Sequence, residues 1–307
     1  MAANRYSVYP SSFVYAAGVS TLDVSQIINH SVRTNSSHQE VIPGGNLDRS
    51  AVVLVSADPM ITFRTGDLKT VLDVVTITAG LNATNGATIR YQRRIDGGTF
   101  AGGATNYTLT SSKGFLYPTS ITASQDDTEG AIVECSYVPL SSDGLADPVN
   151  ETASVTFTTP VPAFNQVYHL GPVYHNAAEI EGVTRVTIDP GIQYRAFRGD
   201  GDVFATVGTI IRRSPTITVT TVNLDFTTTI AAQFNAPLAG TLACYFWKAT
   251  AGGSRVAAIT AGHCKISAAT GAFNADNFSV SDNGDGTFDI NIMPTGTIAF
   301  SSASAIP

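Results

Sequence analysis

The sequence predicts a mainly β protein made of two tandem, internally duplicated β-sandwich or barrel-like modules, each with about one short helix. Three observations lead there. Landmarks recur in the same order about 156 residues apart. Runs that alternate Thr or Val with apolar residues fill both halves. Charged residues make up only 13% of the 307 positions, against roughly 25% in an ordinary domain.

The repeat comes first, because a missed repeat misassigns the whole fold. Asp58–Leu68 aligns with Ser214–Leu224 at an offset of 156, setting Pro59 on Pro215, Ile61 on Ile217, Thr62 on Thr218, Thr65 on Thr221 and Leu68 on Leu224. Upstream, the turn Gly44–Asp48 stands opposite Gly199–Asp202. Downstream, Gly86–Tyr91 meets Gly240–Tyr245, Gly97-Gly98 meets Gly252-Gly253, and Gln125–Gly130 meets Ser281–Gly286. Slips of one or two residues fall in Gly-rich stretches, where loops accept insertions. Turn chemistry at Ser141–Pro148 closes the first module. Residues 1–150 and 160–307 are therefore the two modules, joined by a linker strand over 151–159 and the stiff spacer Pro160-Val-Pro162.

Along the chain, Ser25–His30 reads as a short turn of helix, and Ala51–Val55 as a strand of the buried type. Thr65 is placed to cap a helix with Asp67 in its first turn, since Leu68, Val71, Leu72 and Val75 follow the i, i+3, i+4, i+7 pattern. Its counterpart, Asn223–Ala232, is Thr-rich and less clearly helical. Pro215–Val222 alternates, which puts Ile217 and Val219 on one face. Thr241–Trp247 reads as a further strand. Thr287–Met293 turns Phe288, Ile290 and Ile292 inward and Asp289 and Asn291 outward, with Ala131–Tyr137 as its counterpart.

Composition excludes several classes. A net charge of -7 and a pI near 5.1 argue against a basic nucleic-acid binder. No run reaches the roughly 18 apolar residues of a membrane helix. Met1–Tyr6 has an early Arg but no apolar stretch behind it, so no secretory signal is expected. Cys135, Cys244 and Cys264 are expected to be buried thiols, with a Cys244–Cys264 bridge left open. Asn-X-Ser/Thr at Asn35, Asn82, Asn106, Asn150 and Asn277 reads as chance in a Thr-rich chain.

Candidate chemistry is sparse. Ile259–Cys264 resembles the Thr-Ala-Ala-His-Cys of trypsin-like enzymes, but only 44 residues follow His263 and none forms a nucleophile loop. His263 is expected at a turn or interface. Asp282–Gly286 and Gly199–Asp202 look like acidic cation loops, yet a Gly-punctuated hairpin turn explains each. Gly97–Gly103 lacks the following helix of a phosphate cradle and reads as a surface loop. Arg90, Arg93 and Arg94, with Arg212 and Arg213, are expected as intersubunit or intramodule ion-pair donors. His169 and His175 have no thiolates or carboxylates at ligand spacing, so no metal, cofactor or catalytic residue is expected. Trp247, the single Trp, is placed in the core.

Low charge, abundant small residues and a mean hydropathy of +0.12 suit a subunit covered on several sides, because interface cores are depleted in charge. Two copies of one module in a chain also turn a pseudo-sixfold ring into a trimer, or a fourfold ring into a dimer. With these landmarks the chain resembles the major tail tube proteins of long-tailed bacteriophages, in particular the duplicated type that builds each ring from three chains. The resemblance implies homotrimeric rings stacked into a hollow virion tail tube, put together in the host cytoplasm. It also implies contact with other tail proteins and DNA as passing cargo, with no membrane. Acidic side chains among Asp126, Asp127, Glu129, Asp282 and Asp285 are expected to face solvent or the bore, where Lys and Arg would bind phosphate at every ring. The rival readings are a capsid decoration or other virion protein, a carbohydrate-binding adhesin pair, and an enzyme of unknown type.

Overall fold

The computed structural model describes residues 7–17, 20–24, 27–42, 44, 49–94, 106–126, 128–156, 166–222, 238–250, 253–280 and 286–307. The first half holds β1 (Ser7–Ala17), β2 (Ser20–Val24), β3 (Ile27–Arg33), β4 (Ser36–Val41), β5 (Ala51–Ala57) and β6 (Met60–Thr65). Helix α1 (Leu68–Val74) follows, then β7 (Leu81–Ala83), β8 (Ala87–Arg94), β9 (Asn106–Ser111), β10 (Lys113–Ser124), β11 (Ile132–Leu140) and β12 (Asn150–Val155). The second half begins with β13 (Gln166–His175), β14 (Ala178–Ile180), β15 (Val183–Asp189), β16 (Ile192–Phe197), β17 (Val207–Arg213) and β18 (Thr216–Thr221). It ends with β19 (Leu238–Ala239), β20 (Leu242–Thr250), β21 (His263–Ala268), β22 (Gly271–Val280), β23 (Gly286–Pro294) and β24 (Ile298–Ser304).

The protein is mainly β. A central ten-stranded sheet runs β19-β22-β23-β18-β15-β10-β11-β6-β3, with β7 beside β10. Five-stranded sheets, β12-β9-β8-β1-β2 and β14-β13-β20-β21-β24, pack against it. Phe13 of β1 stacks on Phe63 of β6 at 4.8 Å, and His175 of β13 meets Phe273 of β22 at 4.3 Å. Alternation drives this layering. Ile61, Phe63 and Thr65 of β6, and Ile217, Val219 and Thr221 of β18, are buried while Thr62, Arg64, Thr218 and Thr220 between them point outward. Phe288, Ile290 and Ile292 are buried as the period-2 pattern requires.

The pairing scheme of β1–β12 recurs strand for strand in β13–β24. Pairs β1·β2, β1·β8, β8·β9 and β9·β12 reappear as β13·β14, β13·β20, β20·β21 and β21·β24. Pairs β3·β6, β6·β11, β10·β11 and β7·β10 reappear as β15·β18, β18·β23, β22·β23 and β19·β22. Hairpin β4·β5 reappears as β16·β17. Even the register slips repeat: Ile27/Asn29 with Val183/Arg185, Pro118/Ser120 with Ala275/Asn277, and Ser37/His38 with Gln193/Tyr194. Bulges are built features of a ladder rather than defects. Register also moves Tyr91 onto Phe246 rather than Tyr245, because Ile89 and Cys244 hold equivalent places on β8 and β20.

Several expectations need correction. Ser25–His30 does not give a helical turn: Ile27–Arg33 is strand β3, where ladder bonds to β6 outweigh any local preference, and residues 25–26 lie outside the described residues. Helix α1 does form and buries Leu68, Val71 and Leu72, but its capping residue is Asp67. Thr65 ends β6 instead, and its Oγ1 accepts the Asp67 N–H at 3.0 Å. The most telling correction is Ala51–Val55: all five residues are exposed. The proposed helical counterpart at Asn223–Ala232, and the spacer 160–162, fall outside the described residues.

Candidate assembly interface

The two halves of the central sheet meet where β10 pairs with β15. Ile121 lies opposite Ile188, Thr122 opposite Thr187, Ala123 opposite Val186 and Ser124 opposite Arg185. Ile121, Val186 and Ile188 are fully buried. Gln125 extends the seam, its N–H donating to Thr184 O at 2.9 Å and its Nε2 to Val183 O at 2.8 Å.

The repeat makes β22 the counterpart of β10, and β3 the counterpart of β15. Among the described residues, neither Phe278–Val280 of β22 nor the outer side of β3 has a strand partner on the edge in question. Val32 occupies the place of Ile188 on β3; it is 40% exposed where Ile188 is 0%. An open strand edge carries a row of unpaired N–H and C=O groups and templates pairing with another chain.

The hairpins β4–β5 and β16–β17 form two-stranded sheets of their own, here called the first and second arms. The second arm lies across the first half. Val203 and Phe204 both donate their N–H to Gly144 O at 2.9 Å, Ser141 N–H donates to Ala205 O at 2.8 Å, and Ala57 N–H donates to Val203 O at 3.0 Å. Arg198 forms an ion pair with Asp58. Tyr194 stacks on Phe115, with ring centroids 4.4 Å apart and planes 6° apart. Burial pushes its phenol up to about 12, helped by Tyr117. A cleft of about 450 Å³ runs between arm and body, past Lys113, Leu140 and Ile210.

The outward face of the central sheet is rich in hydroxyl groups. Ser31 and Thr62 hydroxyls bond at 2.7 Å, Thr218 Oγ1 donates to Asn291 Oδ1 at 2.7 Å, and Thr220 Oγ1 donates to Asp289 Oδ1 at 2.6 Å. On the same face Arg64 is neutralised by Glu134 at 3.0 Å. These residues alternate with the core residues of β6, β18, β11 and β23, so the Thr-rich composition is what builds this face.

The residues singled out by sequence take other places. His263 is neither at a turn nor at an interface: it opens β21 and is fully buried. Its Nδ1 accepts the Lys248 N–H at 3.1 Å, which leaves Nε2 to donate to Ala257 O at 3.1 Å. Both nitrogens are committed to backbone, so this ring holds the 257 segment against β20. Cys244 and Cys264 do lie on neighbouring strands, but both are free, buried thiols pushed up to about 12 by desolvation; Cys135 is likewise free and raised. Trp247 is half-buried rather than in the core: its Nε1 donates to Val256 O at 2.8 Å and Arg255 lies over its ring.

Arg212 Nε donates to Ser214 Oγ at 2.9 Å within its own chain segment, not to a carboxylate, because Ser214 follows the arm directly. Arg90 and Arg93 are half-buried on β8. Among the described residues no three His, Cys, Asp or Glu side chains converge as a metal site. Gly199–Asp202 forms the turn at the second arm's tip, with Gly199 N–H donating to Asp202 Oδ2 at 2.8 Å. Asp126 and Glu129 are exposed beside the β10–β11 turn; Asp127, Asp282, Asp285 and Gly97–Gly103 lie outside the described residues. No helix is long and apolar enough to cross a membrane among the described residues.

The arms and open edges escaped sequence reasoning, although the turn Gly199–Asp202 marked the tip of the second arm. No family model matches the sequence, and no curated protein matches it.

Proposed function

We propose that the chain is a tandem duplication whose copies join head to tail into closed rings, and that the rings stack into a hollow tube for genome passage, as in the tail of a long-tailed bacteriophage. The observation that carries this reading is the β10·β15 seam together with its two unmatched repeats. Joining β22 of one chain to β3 of the next by the same register sets Phe278 opposite Val32 and Ser279 opposite Ser31. This contact joins unlike patches, so it repeats until the rotation closes a ring. The resemblance to duplicated tail tube proteins sets the count at three chains, and it brings in other tail proteins as partners.

The hydroxyl-rich sheet face suits the bore of such a ring. Repeated Lys and Arg contacts to phosphate would add salt-sensitive affinity at each level and slow the passing DNA. Thr, Ser and Asn with a neutralised Arg64 give polar wetting without that drag. The protein is accordingly read as a structural subunit and not as an enzyme.

Negative-stain electron microscopy and mass photometry of the purified protein test this. Rings or tubes with a central hole are expected, with a mass step of three chains. Monodisperse monomers at roughly 100 μM, a concentration at which even weak edge pairing populates oligomers, overturn it.

A further inference from the structure

The two arms match in sequence place, pairing and bulge, yet their surroundings differ. In the second arm, burial alternates along β16 and β17: Tyr194, Gly208 and Ile210 turn toward the first half and are half-covered. In the first arm the equivalent positions are His38, Val52 and Leu54, and all three are exposed. An isolated two-stranded hairpin is marginal in water, and a run from Val52 to Val55 left bare on one marks a surface meant to be covered.

The surface that the second arm covers has its own repeat. Register on β11 and β23 makes Ala272 the counterpart of Phe115, and Thr295 the counterpart of Leu140. Phe115 and Leu140 are buried beneath the second arm; Thr295 and its neighbour Met293 are exposed. Under the second arm, Gly208 leaves room for Tyr194, whose Oη would lie 2.0 Å from a Cβ there, and Tyr194 stacks on Phe115. At the repeat, His38 stands in the place of Tyr194, Val52 in that of Gly208 and Ala272 in that of Phe115.

We propose that the first arm, β4–β5, docks through His38, Val52 and Leu54 onto the second half of the next copy of this chain, around Ala272 and Thr295. It thereby repeats between chains the contact that the second arm makes within one. This inference rests on the head-to-tail reading, and it adds a second, side-chain-based contact beside the strand seam.

Photo-crosslinking tests it. With p-benzoylphenylalanine at Leu54, assembled protein should give a two-chain product whose crosslinked peptide spans 270–273 or 293–297 of the neighbour. The same probe at Ile210 should link within its own chain to 113–116 or 140. Leu54→Asp provides an independent readout, since Leu54 is exposed in the single chain and the melting temperature should hold. The concentration for half-assembly should rise at least tenfold. Rings that form normally with Leu54→Asp, or whose Leu54 photoproduct maps to another surface, overturn the arm inference alone. Protein that never assembles overturns both readings.

Discussion

Ile121 of β10 and Ile188 of β15 face each other across the seam between the halves, and neither is reached by solvent. Val32 holds the place of Ile188 on the open edge of β3. Val32→Asp should therefore block edge pairing while leaving the single chain folded, because a charge on a strand edge opposes augmentation. Light scattering after size exclusion should show monomer in place of oligomer, with an unchanged thermal midpoint.

His263 uses both ring nitrogens on backbone groups. His263→Ala leaves the part-buried Lys248 N–H without its acceptor, at a cost of about 1–3 kcal/mol. Urea unfolding of the variant should show the loss as a lower midpoint with a similar slope.

All three thiols are buried and raised. A reagent such as Ellman's should label none of them in native protein at pH 8, and all three in denaturant. Reductant should leave the melting temperature unchanged. A native reaction of one thiol per chain would contradict their burial.

Gly191 opens the second arm with φ +60, and a Cβ there would sit 2.0 Å from Ser214 O. Gly191→Ala should lose about 1–2 kcal/mol from the left-handed conformation, and more from the displaced backbone. Asn35 opens the first arm in the same conformation at φ 44, with Nδ2 donating to Asp58 O. Calorimetry on both Ala variants should show the larger drop at Gly191.

Burial lowers His30 and His175 below the ordinary 6.5. The folded protein then holds these rings neutral while the unfolded chain binds protons first. Their contribution to stability is complete above about pH 6.5 and is lost as the pH falls from there toward the lowered folded values. A melting series from pH 7.5 to 5 should fall across this window, and His30→Gln should flatten the fall.

Much of the fold was readable where one local rule decided the outcome. The alternation in Pro215–Val222 and Thr287–Met293 fixes which residues enter the core. Ala51–Val55 misled because an apolar run says that a surface is to be covered without saying by what. Ser25–His30 misled because pairing to β6 is decided far away in sequence. The clamping role of His263 had no sequence signal, since its partners are backbone groups on β20 and at Ala257.

The stack of Tyr194 on Phe115 has no aromatic equal at His38 and Ala272. In a closed ring, covalently tethered, ring-stacked joints would alternate with plainer ones between molecules. Heat or tension should then part the ring at every second seam, releasing whole chains and never half-modules, so damage would be confined to units that can simply be reinserted.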